Sequence, residues 1–172
     1  MNGDLRRNLI LERLNEAEKA LSASFLAGEL GVSRQVVVGD IALLRAAGHE
    51  IASMARGYSI PKFTSRNSFL SKVVCLHDAA AMRGELSAIV ELEAEVLDVI
   101  IEHEIYGEIT GSLNIKTKQD IDKFLQSLEE GRVRPLSDLT AGLHSHTIAC
   151  RDKMHFDEIV AALKKLDVLY EN

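Results

Sequence analysis

A chain of 172 residues, 47% hydrophobic and 27% charged, has enough apolar material for one medium domain or two small ones, and two are expected. No apolar run approaches the ~20 residues needed to span a bilayer, and Met1-Asn2-Gly3-Asp4-Leu5-Arg6-Arg7 lacks the apolar core of a signal peptide, so the cytoplasm is the expected compartment and no membrane partner is expected. The net charge of -6 is uneven: residues 1–62 hold 8 Lys/Arg against 7 Asp/Glu and residues 63–172 hold 12 against 19, which confines any contact with nucleic acid to the N-terminal third.

Leu5, Leu9, Ile10 and Leu14 recur at helical spacing with Arg6, Arg7, Glu12, Arg13 and Glu16 opposite them, predicting an amphipathic helix over 4–16 with Asp4 as its cap. Ser22 then precedes a short helical run closed by Gly31, and Ser33 caps a longer one that ends at Gly48. Two helices joined by a glycine turn form a helix-turn-helix, whose second helix meets base edges with its first turn. Ser33, Arg34, Gln35 and Val38 are therefore candidate DNA contacts, while Val37, Ile41 and Leu44 face the core. Arginine can pair two-pronged with a guanine edge or a phosphate, and glutamine with adenine.

Residues 49–52 and 57–60 read as two strands of a hairpin, a wing with Arg56 at its tip for phosphate or the minor groove. A small helical domain whose arginines are merely solvated is the competing reading. The run Leu26-Ala27-Gly28-Glu29-Leu30-Gly31-Val32-Ser33-Arg34-Gln35, with Asp40-Ile41, Leu44-Arg45, Gly48 and Arg56-Gly57-Tyr58, resembles the winged helix of biotin-operon-repressor-type regulators. Gly39 departs from a good helix former at a cost of roughly 0.5–1 kcal/mol relative to alanine.

Pro61 and the polar cluster after it mark a boundary, giving a winged helix-turn-helix over 1–62, a linker at 63–68 and a regulatory domain over 69–172. Beyond the linker the pattern predicts strand 69–77, helix 78–93, strands 96–103 and 108–115, helix 118–130, an irregular stretch 136–142, strand 143–150, helix 154–166 and a short strand 168–170. The class is α+β, a sheet with helices on one face. Cys75 and Cys150 sit in apolar segments and read as buried, reduced thiols, with any metal role secondary.

Histidines gather near strand ends. His77 closes the first of these strands, and Glu85 follows two helical turns later. In Leu143-His144-Ser145-His146-Thr147 the alternation of a strand puts both imidazoles on one face, although a half-exposed strand could equally leave them in solvent. Three imidazoles and a carboxylate suit zinc, nickel or iron, whereas calcium and magnesium prefer all-oxygen sites. His49 and His155 read as ordinary solvated or hydrogen-bonded side chains.

His77 with Glu85, then Glu102-His103-Glu104-Ile105-Tyr106-Gly107, then His144-Ser145-His146-Thr147, resembles the 3H domain, a small α/β sandwich-type ligand- and metal-binding domain. Joined to a winged helix, it resembles the niacin-responsive repressors of NAD biosynthesis and niacin uptake. The resemblance implies His77, Glu85, His144 and His146 as metal ligands, nicotinic acid as co-repressor, operator DNA as partner and a homodimer as the working form. His103 is the candidate for touching the bound effector or orienting a metal ligand. Glu104 stands where the family usually has proline. The alternatives are a regulator that responds to metal alone and a metal-dependent hydrolase, the latter lacking an evident general base.

Overall fold

The computed structural model describes residues 2–54, 56–60, 67 and 69–171, and the chain divides into two compact units, Met1–Phe63 and Thr64–Asn172. Apart from Asn67, the expected linker lies outside the described residues.

The first unit runs α1 (Gly3–Glu16), α2 (Ala23–Leu30), α3 (Arg34–Ala46), β1 (Ala52–Met54) and β2 (Gly57–Ser59). The cap of α1 is Asn2, whose side chain accepts from the Leu5 amide at 2.8 Å; Asp4 instead pairs with Arg7 one turn on. Ser22 and Ser33 cap α2 and α3 as expected, and Gly31 closes α2 at φ 65°, a left-handed conformation that costs glycine little. The apolar stripes of the three helices meet in one core of Ile10, Leu14, Leu26, Val37, Ile41 and Leu44, with Ile51 added from the start of the wing.

Asp40 is buried in this unit, which its place on a charged-looking helix does not announce. Arg6 holds it through Nε at 2.5 Å and Nη2 at 3.1 Å, and Arg7 reaches it at 3.3 Å, so two side chains that read as solvent-facing turn inward and tie α1 to α3. A buried carboxylate needs such partners, since unpaired it would be strongly destabilising.

The first wing strand begins three residues later than expected because Ile51 is drawn into the core, where Arg45 donates to its carbonyl at 2.9 Å. Arg45 also donates to Ser53 and lies over the Tyr58 ring, fastening α3 to the hairpin. Leu21 adds a further rung, exchanging backbone hydrogen bonds with Tyr58 at 2.9 and 2.8 Å. That rung requires glycine at position 57: its φ is 138°, and a Cβ would stand 2.1 Å from the Leu21 carbonyl oxygen. Gly57→Ala is expected to destabilise the unit by on the order of 1–3 kcal/mol or more and to weaken DNA binding through the displaced wing. A thermal midpoint equal to that of the parent would contradict this account.

The second unit runs β3 (Phe69–Leu76), a 3-10 turn, α4 (Met82–Glu91), β4 (Glu95–His103), β5 (Gly107–Ile115), α5 (Lys118–Gly131), a second 3-10 turn (Leu136–Thr140), β6 (Leu143–Cys150) and α6 (Lys153–Lys165). Its strands form one antiparallel sheet in the order β3-β6-β4-β5. Inward residues Val73, Cys75, Val96, Ile115, Ile148 and Cys150 share a core with Leu86, Ile89 and Val90 of α4, Ile121 of α5, and Phe156, Ile159 and Leu163 of α6. The class is α+β, as the alternation of elements predicts.

Three boundaries differ. The helix expected from 78 begins as a 3-10 turn because the Asp78 carboxylate takes the amides of Ala80 and Ala81, and α4 proper starts at Met82. The irregular stretch is a 3-10 turn stitched by Thr140, whose hydroxyl donates to the carbonyls of Ser137 and Leu143. The expected last strand is a single bridge, Leu169 to Cys75, flanked by Leu76 N to Val168 O and Tyr170 N to Val74 O, both at 2.9 Å.

Candidate metal centre and nucleic-acid interface

β3 and β6 are neighbours although some seventy residues apart, and their register sets Cys75 opposite His144 and Val73 opposite His146. Alternation along β6 turns His144 and His146 to the same face as Ile148 and Cys150, under the helices. His77 follows β3 in step with Val73 and Cys75, and Glu85 enters from the first turn of α4. The four expected ligands therefore converge.

Glu85 is 1% exposed, and the imidazoles of His77, His144 and His146 are 6%, 3% and 4% exposed. His77 Nε2 lies 2.7 Å from Glu85 Oε2, while His144 Nε2 and His146 Nε2 each lie 3.4 Å from Oε1. The Nδ1 atoms all face backbone carbonyls: His77 to Asp78 at 2.8 Å, His144 to Gly142 at 2.8 Å and His146 to Asp98 at 2.5 Å. A carbonyl only accepts, so each Nδ1 carries a hydrogen; in the charged ring His77 Nε2 donates to Glu85 Oε2 as well, and in the neutral ring each Nε2 has a lone pair to offer a cation.

Those carbonyls are themselves positioned. Gly142 has φ 92°, and a Cβ there would fall 2.3 Å from the His77 carbonyl oxygen, so only glycine lets the turn before β6 approach the end of β3. Asp98 supports His146 by its carbonyl and the following Thr147 amide by its carboxylate, at 2.8 Å.

Burial alone would push the Glu85 carboxyl up, but His144, His146 and His77 around it outweigh burial and hold it well below the usual carboxylate range. Burial works against a charged His77, yet its bonds to Glu85 and the Asp78 carbonyl prevail and raise it. Cys75 is pushed up, first by burial and then by the Glu85 charge.

This donor set fits a transition-metal ion. Glu85 Oε1 is buried and accepts no hydrogen bond, a costly state for a carboxylate oxygen unless a cation faces it. Two ligands each about 2.1 Å from one ion stand about 3.0–3.4 Å apart, the spacing found between Oε1 and the two Nε2 atoms. A thiol also belongs here: donor atoms of Cys75, Glu85 and His144 all lie within 4.8 Å of one another. In the sequence, Cys75-x-His77 repeats the spacing of His144-x-His146, a signal that apolar neighbours hide.

Beside Glu85, His144 and His146 opens a cavity of about 30 Å³ walled by Met82, Leu86, Val99, Leu113, Phe124 and Leu136. His103 is not among its lining residues. It closes β4, and its Nδ1 accepts from the amides of Ile105 and Tyr106 in the turn that follows, at 3.2 and 3.3 Å. His155 is buried and fully occupied, bonded to the Leu92 carbonyl and the Arg151 amide.

On the first unit, Ser33, Arg34 and Gln35 are exposed at the start of α3, and Arg56 is exposed in the wing turn. Val38 differs from expectation: it is half-buried against the core, and the exposed apolar side chain of that turn is Val36. Among the described residues, no helix is long and apolar enough to cross a membrane.

Residues 6–59 match the model of an HTH domain, and residues 70–172 match that of the 3H domain. The chain is 35% identical over 167 residues to a probable transcription repressor NiaR of Thermotoga maritima, covering 96% of this chain and 94% of the relative. It is 31% identical over 172 residues to the transcription repressor NadR of Bacillus subtilis, covering 99% and 96%. Both relatives are named as transcription repressors, and together with the HTH domain this sets the hydrolase alternative aside. The order of the two matched domains and alignment along nearly the whole chain show that the protein belongs to the family of NiaR- and NadR-type transcription repressors.

Proposed function

We propose that the chain represses genes of NAD biosynthesis or niacin uptake, with nicotinic acid as co-repressor bound at or beside a divalent transition metal, zinc, nickel or iron, held by His77, Glu85, His144 and His146. The observation that carries this reading is the convergence of three Nε2 atoms on the buried Glu85 carboxylate, two of them beside its unpartnered Oε1, next to an apolar cavity, in a chain whose other unit is a winged helix. The ion would supply a positive charge opposite Glu85 and an open position for a pyridine nitrogen or a carboxylate. Leu86, Val99 and Phe124 offer apolar walls to a flat ring. Any contact from His103 comes through Nε2, since the turn amides occupy Nδ1.

A cavity of about 30 Å³ holds only a water or two, so a ring enters by moving side chains such as Met82, or the 3-10 turn that carries Leu136. That supplies the difference between states that regulation requires, because a ligand binding two arrangements equally shifts nothing. The favoured arrangement is a homodimer whose recognition helices stand ~34 Å apart, one turn of DNA.

The test is DNA affinity titrated with nicotinic acid and with nicotinamide, before and after chelation. The expected result is a nicotinic acid effect that chelation abolishes. No ligand effect in either metal state would sink the co-repressor reading. Affinity that follows metal alone would favour a metal-responsive regulator, which the small cavity also suits.

A further inference from the structure

We infer that Cys75 is a fifth protein ligand of the metal, its Sγ bonding the same ion as His77, Glu85, His144 and His146; the inference rests on the metal reading above and sharpens which ions the site takes. A buried cysteine is ordinarily a small apolar residue, and Cys150 behaves as one, its thiol donating at 3.5 Å to the Asp152 carbonyl. Cys75 is placed otherwise. It faces His144 directly across the β3–β6 ladder and shares the inward face with His77 two residues on. Its sulfur, a Glu85 oxygen and a His144 nitrogen lie within 4.8 Å of one another. The independent pointer to a ligand is the Glu85 side chain of this trio, whose Oε1 is buried and without a hydrogen bond.

Metal–thiolate bonds run about 2.3 Å and metal–imidazole bonds about 2.0–2.1 Å, so a trio of this spread can close on one ion with small side-chain rotations. As the metal–sulfur bond forms, the thiol proton passes to solvent and the net charge of the site falls by one. Adding a soft thiolate to three imidazoles and a carboxylate favours zinc, cobalt or nickel over magnesium, calcium or manganese. Five protein donors also leave a six-coordinate ion a single open position, which restricts a bound effector to one donor atom.

The experiment is cobalt(II) titration of the metal-free full-length protein, read by absorption. Visible d–d bands report cobalt in the site; an intense near-ultraviolet thiolate-to-cobalt charge-transfer band reports sulfur bonded to it. Both are expected in the parent and in Cys150→Ala, while Cys75→Ser should keep the visible bands and lose the near-ultraviolet one. Visible bands without the charge-transfer band in the parent, or a band that survives Cys75→Ser, overturns the Cys75 assignment and leaves the four-ligand site standing. No cobalt spectrum at all fails the metal site itself, and this inference with it. Because the parent spectrum alone decides whether sulfur is bound, a poorly folded Cys75→Ser protein would not protect the idea.

Discussion

Glu85→Gln is expected to lower the metal affinity of the protein by more than a hundredfold. Replacing groups that merely orient metal ligands already costs 10- to 100-fold, and Glu85 is the only anionic oxygen among the proposed ligands, placed against all three imidazoles. The amide is nearly isosteric, so loss of affinity would report loss of charge and donor strength. Competition against a colorimetric chelator measures it, and an affinity within a few-fold of the parent would remove Glu85 from the ligand set.

The same substitution should erase a contrast in pH dependence. Without metal, Glu85 is held below its ordinary value, so its contribution is present above the unfolded carboxylate pKa of about 4.3 and is lost as pH falls. His77 is raised, so its contribution is fully present below its unfolded pKa of about 6.5 and is lost as pH rises through the higher folded value. The metal-free protein should therefore draw most from this pair between about pH 4.3 and 6.5 and lose stability above that window. With metal the slope reverses, since protons compete with the ion for imidazole nitrogen and thermal stabilisation by metal grows as pH rises. Thermal midpoints across pH with and without chelator should show both slopes in the parent, and neither at full size in Glu85→Gln.

How far the sequence speaks depends on how local the cause is. The caps at Ser22 and Ser33, the turn at Gly31 and the shared face of His144 and His146 follow from neighbours within a few residues, and all are present as read. Nothing nearby in sequence marks Asp40 or Glu85 as buried, although Glu85 is a candidate ligand by its spacing from His77; their partners arrive from α1 and from β3 and β6. Cys75 was hidden for the same reason, since it becomes a candidate donor only when the ladder sets it opposite His144. Val38 shows a finer limit. Helical periodicity fixes which stripe is buried but not how far a flanking side chain leans on it, and Val38 is half-buried against the core.

Arg34→Ala is expected to weaken operator binding by about 10- to 100-fold while leaving nicotinic acid and metal binding unchanged. Arg34 is the first residue of α3, exposed directly after the Ser33 cap, where the recognition helix of a helix-turn-helix approaches the major groove. Its exposure also means that alanine leaves no cavity and no buried partner unpaired, so the thermal midpoint should stay within error of the parent. The salt dependence then separates its two chemical uses. If the guanidinium lies on a phosphate, specific and non-specific DNA should lose affinity together and the salt slope should fall by about one. If it pairs with a guanine edge, the loss should concentrate on the operator and relax its preference at one base pair. Arg56→Ala in the wing turn provides the comparison for a backbone or minor-groove contact, with a smaller and less sequence-dependent loss. Operator affinity unchanged by Arg34→Ala at matched salt would take the start of α3 out of the DNA interface.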